Sequence, residues 1–250
     1  MNNRRYTEQA PSKPFTNKRF FQKAKDKFSD KFSGGLNGKK KFTGEKKFFK
    51  PREEEKDTGP KAEMQIIFGK HKGKNLHTWP SPKMRSTARR VREALFSTLY
   101  RRTRFSRFLD LCSGCGAVGL EAISRGALLG TFVERSARMC SVIKKNMSAF
   151  GIKEGHGEVV EIEVVPFLKK MKKRHRVWDI AFFDPPFDAN YDEVLEIFSK
   201  GAALRKKRGI LVVAHHTEMF FPEKMGILRR FRVINVPDTE TALSFYENKR

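Results

Sequence analysis

FLDLCSGCGAVGLEAISRGA, residues 108–127, decides how the rest of this 250-residue chain is read. Phe108-Leu109-Asp110-Leu111 is a short apolar strand, and 119–127 reads as a helix ending at Gly126. Between them, Gly114, Gly116 and Gly119 have the spacing of a nucleotide-binding turn, in which a missing Cβ lets backbone approach a ligand. Alone, that spacing suits a nicotinamide cofactor as well as S-adenosylmethionine. Two acids add to it. Glu134 ends the next strand, GTFVE (130–134), where a carboxylate accepts hydrogen bonds from ribose hydroxyls. Asp110 lies four residues before Gly114, a spacing typical of sites for S-adenosylmethionine, which carries a cationic amino-acid end and no pyrophosphate. The candidate cofactor contacts in this stretch are Asp110, Ser113, Gly114, Gly116 and Glu134.

Outward from the loop the chain alternates. A helix over 137–151 follows the second strand, then a strand EVVEIEVV (158–165) and a short helix PFLKKMKKR. DIAFFD (179–184) is a strand, YDEVLEIFSKG (191–201) a helix and GILVVAH (209–215) a strand. FRVINV (231–236) and ALSFYE (242–247) have no long helix between them and predict an antiparallel edge. The pattern predicts an α/β fold: a Rossmann-like, doubly wound, mostly parallel sheet, with the C-terminal edge of the class I methyltransferase version.

Asp184-Pro185-Pro186-Phe187, after the apolar strand residues Ala181-Phe182-Phe183, is far more specific than the glycine loop. The prolines fix φ and remove two N–H donors, leaving a stiff segment whose carbonyls need not serve a sheet ladder. This suits methylation of an aromatic amine, whose lone pair is delocalised into its ring. The Asp184 carboxylate and the Pro185 carbonyl can each accept an N–H of that amine, so that the lone pair points at a sulfonium methyl. Phe187 can stack on the base.

Lys and Arg number 53 against 28 acids, a formal charge of +25 that favours a polyanionic partner. Residues 1–62 hold 18 of those cations against 8 acids, no Val or Ile, and repeated Lys-Phe pairs. They read as a disordered basic tail, either an RNA-binding arm or a solubilising one. A small β element over 63–84 follows, built around a Gly-Lys turn at 69–73; the catalytic domain is expected over 85–250. Arg85, Arg89, Arg90 and Arg92 crowd the start of a helix whose apolar face is Val91, Leu95 and Leu99. Cations there oppose the helix dipole, and a bound phosphate would offset that, which makes them candidate RNA contacts. Cys112, Cys115 and Cys140 are too few and too oddly spaced for a disulfide framework or a zinc site. No run of ~18 apolar residues exists. With no apolar stretch near the N-terminus to suggest a secretory signal, a cytoplasmic protein without metal is expected.

Together, DLCSGCGAVGLEAISRGA, FVE, FFDPPF and the upstream RSTARRVREALF resemble the bacterial small-subunit ribosomal RNA guanine-N2 methyltransferases of the RsmD type, over about residues 65–247. The resemblance implies a single Rossmann-like domain that methylates the exocyclic amine of one guanine in 16S ribosomal RNA, acting on an assembling or assembled small subunit; the expected partner is 16S ribosomal RNA or the small subunit, and the expected state a monomer. It implies that Asp110, Gly114 and Gly116 cradle S-adenosylmethionine, that Glu134 takes the ribose, and that Glu163, ending the third strand, contacts the adenine. Asp184, Pro185, Pro186 and Phe187 match the catalytic motif. The alternatives are a DNA adenine-N6 methyltransferase, which usually carries a recognition insertion that the close motif spacing leaves no room for, and a non-catalytic ribosome-assembly factor.

Overall fold

The computed structural model describes residues 64–78, 89–187 and 189–249. The expected basic tail, the whole of the segment 79–84 and Arg85 lie outside those residues. Among the described residues, six helices and eight strands follow in order: α1 (Arg89–Thr98), α2 (Tyr100–Thr103), β1 (Arg107–Leu111), α3 (Ala117–Ser124), β2 (Leu129–Glu134), α4 (Ala137–Ala149), β3 (Gly157–Glu161), α5 (Val164–Lys173), β4 (Ile180–Phe183), α6 (Asp192–Ser199), β5 (Lys207–His216), β6 (Lys224–Met225), β7 (Leu228–Asn235) and β8 (Thr241–Lys249). They form one sheet in the order β3-β2-β1-β4-β5-β8-β7-β6. The first five strands in that order run parallel and the last three pair antiparallel, as the alternation predicts.

The central strands are covered on both faces, which is why they read as apolar runs. Leu109, Leu111, Ala181, Phe183, Leu211 and Val213 pack with Phe167, Leu168, Val194 and Phe198 from α5 and α6. Phe108, Ile180, Phe182, Ile210 and Val212 turn to the opposite face, against Val91, Leu95 and Phe96 of α1. Asp110 shares the face of Phe108 by strand alternation, so the one carboxylate of β1 is buried among apolar neighbours.

Three boundaries differ from expectation. The third strand ends at Glu161, and Val164 and Val165 open α5 instead. Pro166 has no N–H for a ladder but fits a first helical turn, and Phe167, Leu168 and Met171 then form a buried stripe. The two-residue β6 extends the antiparallel edge. The expected N-terminal strands reduce to one antiparallel bridge, Gln65 to Asn75, supported by Ile66–Lys74 and Leu76–Met64 backbone hydrogen bonds.

Candidate active site

The carboxyl ends of β1, β2 and β4 meet at the place where the strand order reverses direction, between β1 and β4, the position at which open α/β sheets bind ligands. The register sets Leu111 opposite both Val133 and Phe183. One residue further on, Cys112, Glu134 and Asp184 therefore stand side by side at the rim.

Glu134 shapes the loop. Its two carboxylate oxygens accept from Gly114 N and Ser136 N, each at 2.9 Å. Ser113 Oγ donates to Asp110 O at 2.7 Å, and Ser113 N donates to Val133 O at 3.1 Å, tying the turn to both strands. Asp110 Oδ2 accepts from Gly119 N at 2.8 Å, in the first turn of α3. Two glycines have distinct reasons. At Gly119 a Cβ would fall 2.3 Å from the Phe132 ring, so only glycine lets α3 lie this close to the sheet. At Gly114, φ is +54° and a Cβ would meet nothing within 4 Å, so the backbone faces open space where a ligand can lie against it.

The electrostatics of this rim are anionic. Burial raises the Asp110 carboxyl to about 8; the Gly119 amide opposes this, and Asp184 and Glu134 add to it. Burial likewise pushes the Cys112 thiol up to about 12, with Glu134, Asp184, Asp110 and Glu163 all contributing in the same direction. A thiol held so far from ionisation carries little thiolate at neutral pH and is a poor nucleophile. The same field disfavours a pyrophosphate and suits a ligand with cationic sulfonium and ammonium groups. The open face of Gly114 and the carboxylate rim fit S-adenosylmethionine on both counts.

Beyond β4, Pro185 is buried, Pro186 is exposed and Phe187 is half-buried. Pro186 O accepts from Ala189 N at 2.9 Å, closing a tight turn. The Phe187 ring meets His216, the last residue of β5, edge-on at 5.3 Å. Sequence reasoning missed His216. Its only local signal is the His215-His216 pair ending an apolar strand. Neighbouring His215 is buried, and burial lowers its pKa, which favours the neutral ring. It takes hydrogen bonds with Ser244 Oγ and His216 O, each at 2.9 Å.

Two expectations are corrected. Glu163 does not end the third strand; it is the residue preceding α5, exposed and paired with Arg135 at 3.4 Å. Its carboxylate still belongs to the field around Cys112. Arg92 is not presented to an RNA. It is 2% exposed, and its Nη1 donates to Gln65 O at 3.0 Å and to Glu121 at 3.3 Å. Arg89 and Arg90 do face outward, one paired with Glu93 of its own helix, the other with Asp238.

Residues 64–245 match the family described as "Conserved hypothetical protein 95". The Haemophilus influenzae protein named ribosomal RNA small subunit methyltransferase D is 35% identical over 133 residues, 53% of this chain and 68% of that protein. Its namesake in Buchnera aphidicola subsp. Baizongia pistaciae is 35% identical over 171 residues, 67% of this chain and 85% of the relative. Among solved structures, "Putative methyltransferase yhhF from Escherichia coli" superposes with a TM-score of 0.62 at 27% identity, over 74% of this chain and 98% of that one.

Proposed function

The chain belongs to the Conserved hypothetical protein 95 family, and from that premise we infer that it methylates ribosomal RNA of the small subunit, at the exocyclic N2 amine of a guanine in 16S RNA. The observation that carries the reading is Asp184-Pro185-Pro186-Phe187 leaving β4 beside the carboxylate rim of the glycine loop. S-adenosylmethionine supplies an electrophilic methyl on a cationic sulfur. The rest is the work of the chain. Asp110 and Glu134 hold the loop and attract the cation; the Asp184 carboxylate and the Pro185 carbonyl accept the amine's N–H groups. Phe187, backed edge-on by His216, offers an aromatic surface to the base. Arg89 and Arg90 are the exposed described arginines of α1, and their exposure supports a role in meeting phosphates.

The reading is tested by mapping methylated nucleotides in ribosomal RNA from cells with and without the gene. Loss of a single N2-methylguanine from 16S RNA is expected. An unchanged methylation pattern would falsify the reading.

A pH dependence follows from Asp110. A carboxyl raised to about 8 is largely protonated at neutral pH, and a bound cation favours the ionised form. Binding therefore releases a proton below pH 8. Affinity for S-adenosylmethionine rises with pH, by at most about tenfold per unit, and levels off above 8. The free protein is expected to show the opposite trend: the raised Asp110 pKa lowers stability as pH climbs from the ordinary 3.8 through about 8. Calorimetry in buffers of different ionisation enthalpy reads the released proton. An affinity that is flat between about pH 6 and 8 removes Asp110 as the cation's partner.

A further inference from the structure

The end of the sheet away from Asp110, Glu134 and Asp184 is basic. A groove of about 500 Å³ is lined there by Arg102, Lys207, Arg208 and Lys249, with Glu247 and Asn248. A second, of about 270 Å³, shares Arg102, Lys207 and Arg208 and adds Arg104, Phe105 and Arg205. These residues cluster where β1 and β5 begin, and the five residues of β1 put the rim of the active site ~17 Å away. The cations outnumber the acids. Glu247 is already engaged by Arg102 and Lys249, and Asp179 by Arg205. Among the described residues, no acid pairs with Arg104, Lys207 or Arg208.

The two grooves adjoin through Arg102, Lys207 and Arg208 and are taken together as one basic groove, on which three locally unfavourable features converge. Lys207 stands directly opposite Lys249 in the antiparallel register, a like-charge cross-strand pair that Glu247 offsets only at Lys249. The register then shifts between Lys207 and Ile210, and Arg208 within that bulge has φ +61°. Phe105 has φ +63° and is 63% exposed, with the Arg104 guanidinium 4.6 Å from its ring centre. Left-handed backbone at two non-glycine residues, both presenting side chains to one groove, is strain that a ligand's binding can repay. The chemistry selects the ligand. Ammonium and guanidinium groups in a row neutralise successive phosphates, and an exposed ring beside a guanidinium stacks on a base.

We propose that this groove is a second RNA-docking surface, which grips the phosphate backbone of the substrate at a distance from the methylated base. It rests on the reading of the chain as an RNA methyltransferase. Phosphate contacts fix register while the base contacts specify, so a remote grip orients a large RNA over a small catalytic rim.

The test uses the full chain and a 16S RNA transcript. One variant combines Arg104→Gln, Lys207→Gln and Arg208→Gln, leaving the ion-paired cations in place. A control of equal charge change combines Lys144→Gln, Lys145→Gln and Lys153→Gln, all exposed and outside the groove. RNA affinity is measured against salt, methyl transfer to small subunits gives kcat and KM, and calorimetry gives S-adenosylmethionine affinity. The groove variant is expected to bind RNA at least about tenfold more weakly, with a salt slope shallower by about 2 to 3. That loss falls on KM for RNA, while cofactor affinity and the control stay at wild-type values. A groove variant that matches the control overturns the docking surface and leaves the methyltransferase reading standing. Loss of RNA affinity in a protein whose wild type methylates no ribosomal RNA sinks that reading and keeps the surface. A wild type that binds no RNA overturns both.

Discussion

Asp184→Ala is expected to lower methyl transfer by about three orders of magnitude or more and to leave S-adenosylmethionine binding nearly intact. The effect is large because the nucleophile is weak. An aromatic exocyclic amine gives its lone pair to the ring, and only acceptors on its N–H groups localise that pair on nitrogen. Pro185 contributes a carbonyl that no substitution of its side chain removes, so the carboxylate is the part that can be deleted. The cofactor loop does not depend on it: Glu134 holds Gly114 and Ser136, and Asp110 holds Gly119. Asp184 also repels the ionised form of Asp110, so the same substitution moves the midpoint of the pH dependence of cofactor affinity below 8. Asp184→Asn keeps one acceptor oxygen and is expected to retain more activity than the alanine variant. Single-turnover methyl transfer to small ribosomal subunits measures all three proteins. An alanine variant within tenfold of wild type would remove Asp184 from the chemistry.

The cofactor loop and the Asp-Pro-Pro-Phe segment are legible in the sequence because their determinants are local. A glycine spacing, an acid at a strand tip and two prolines keep their meaning wherever the chain goes next. The end of the third strand is ambiguous by the same local rules. Val159 to Val165 alternate as a strand, while Val164, Val165, Leu168 and Met171 also fit a helical stripe, and the choice falls to Pro166 and to the packing of Phe167 and Leu168 beneath the sheet. His216 reaches Phe187 only through the pairing of β4 with β5. Arg92 fails differently. In the sequence it is one more arginine in a basic run, and a charge defaults to solvent. Its burial depends on Glu121, 29 residues later in α3, and on Gln65, 27 residues earlier. No local pattern announces a partner at that separation.

Glu121→Ala is expected to destabilise the protein by about 3–5 kcal/mol. Glu121 is fully buried and joins three parts of the chain. Its oxygens accept from Ile67 N at 2.8 Å and Phe68 N at 2.9 Å, from Arg92 Nη1 at 3.3 Å and from Arg125 Nε at 2.8 Å. Removing it leaves the Arg92 guanidinium buried without its counter-charge and frees two backbone amides of the N-terminal segment. The converse substitution is much milder. After Arg92→Met, Glu121 keeps Arg125 and both amides, and the buried Arg92 Nε, which has no hydrogen-bond partner among the described residues, disappears with the side chain. Burial already works against the charge on Arg92, with Glu121 the chief opposing influence. Arg92→Met is therefore expected to cost about 1 kcal/mol, and adding it to Glu121→Ala should recover much of the loss, since the second change removes the stranded charge. Urea denaturation of the four proteins forms a double-mutant cycle. Equal losses from the two single substitutions, adding in the double, would show that Glu121 stabilises the fold without reference to Arg92.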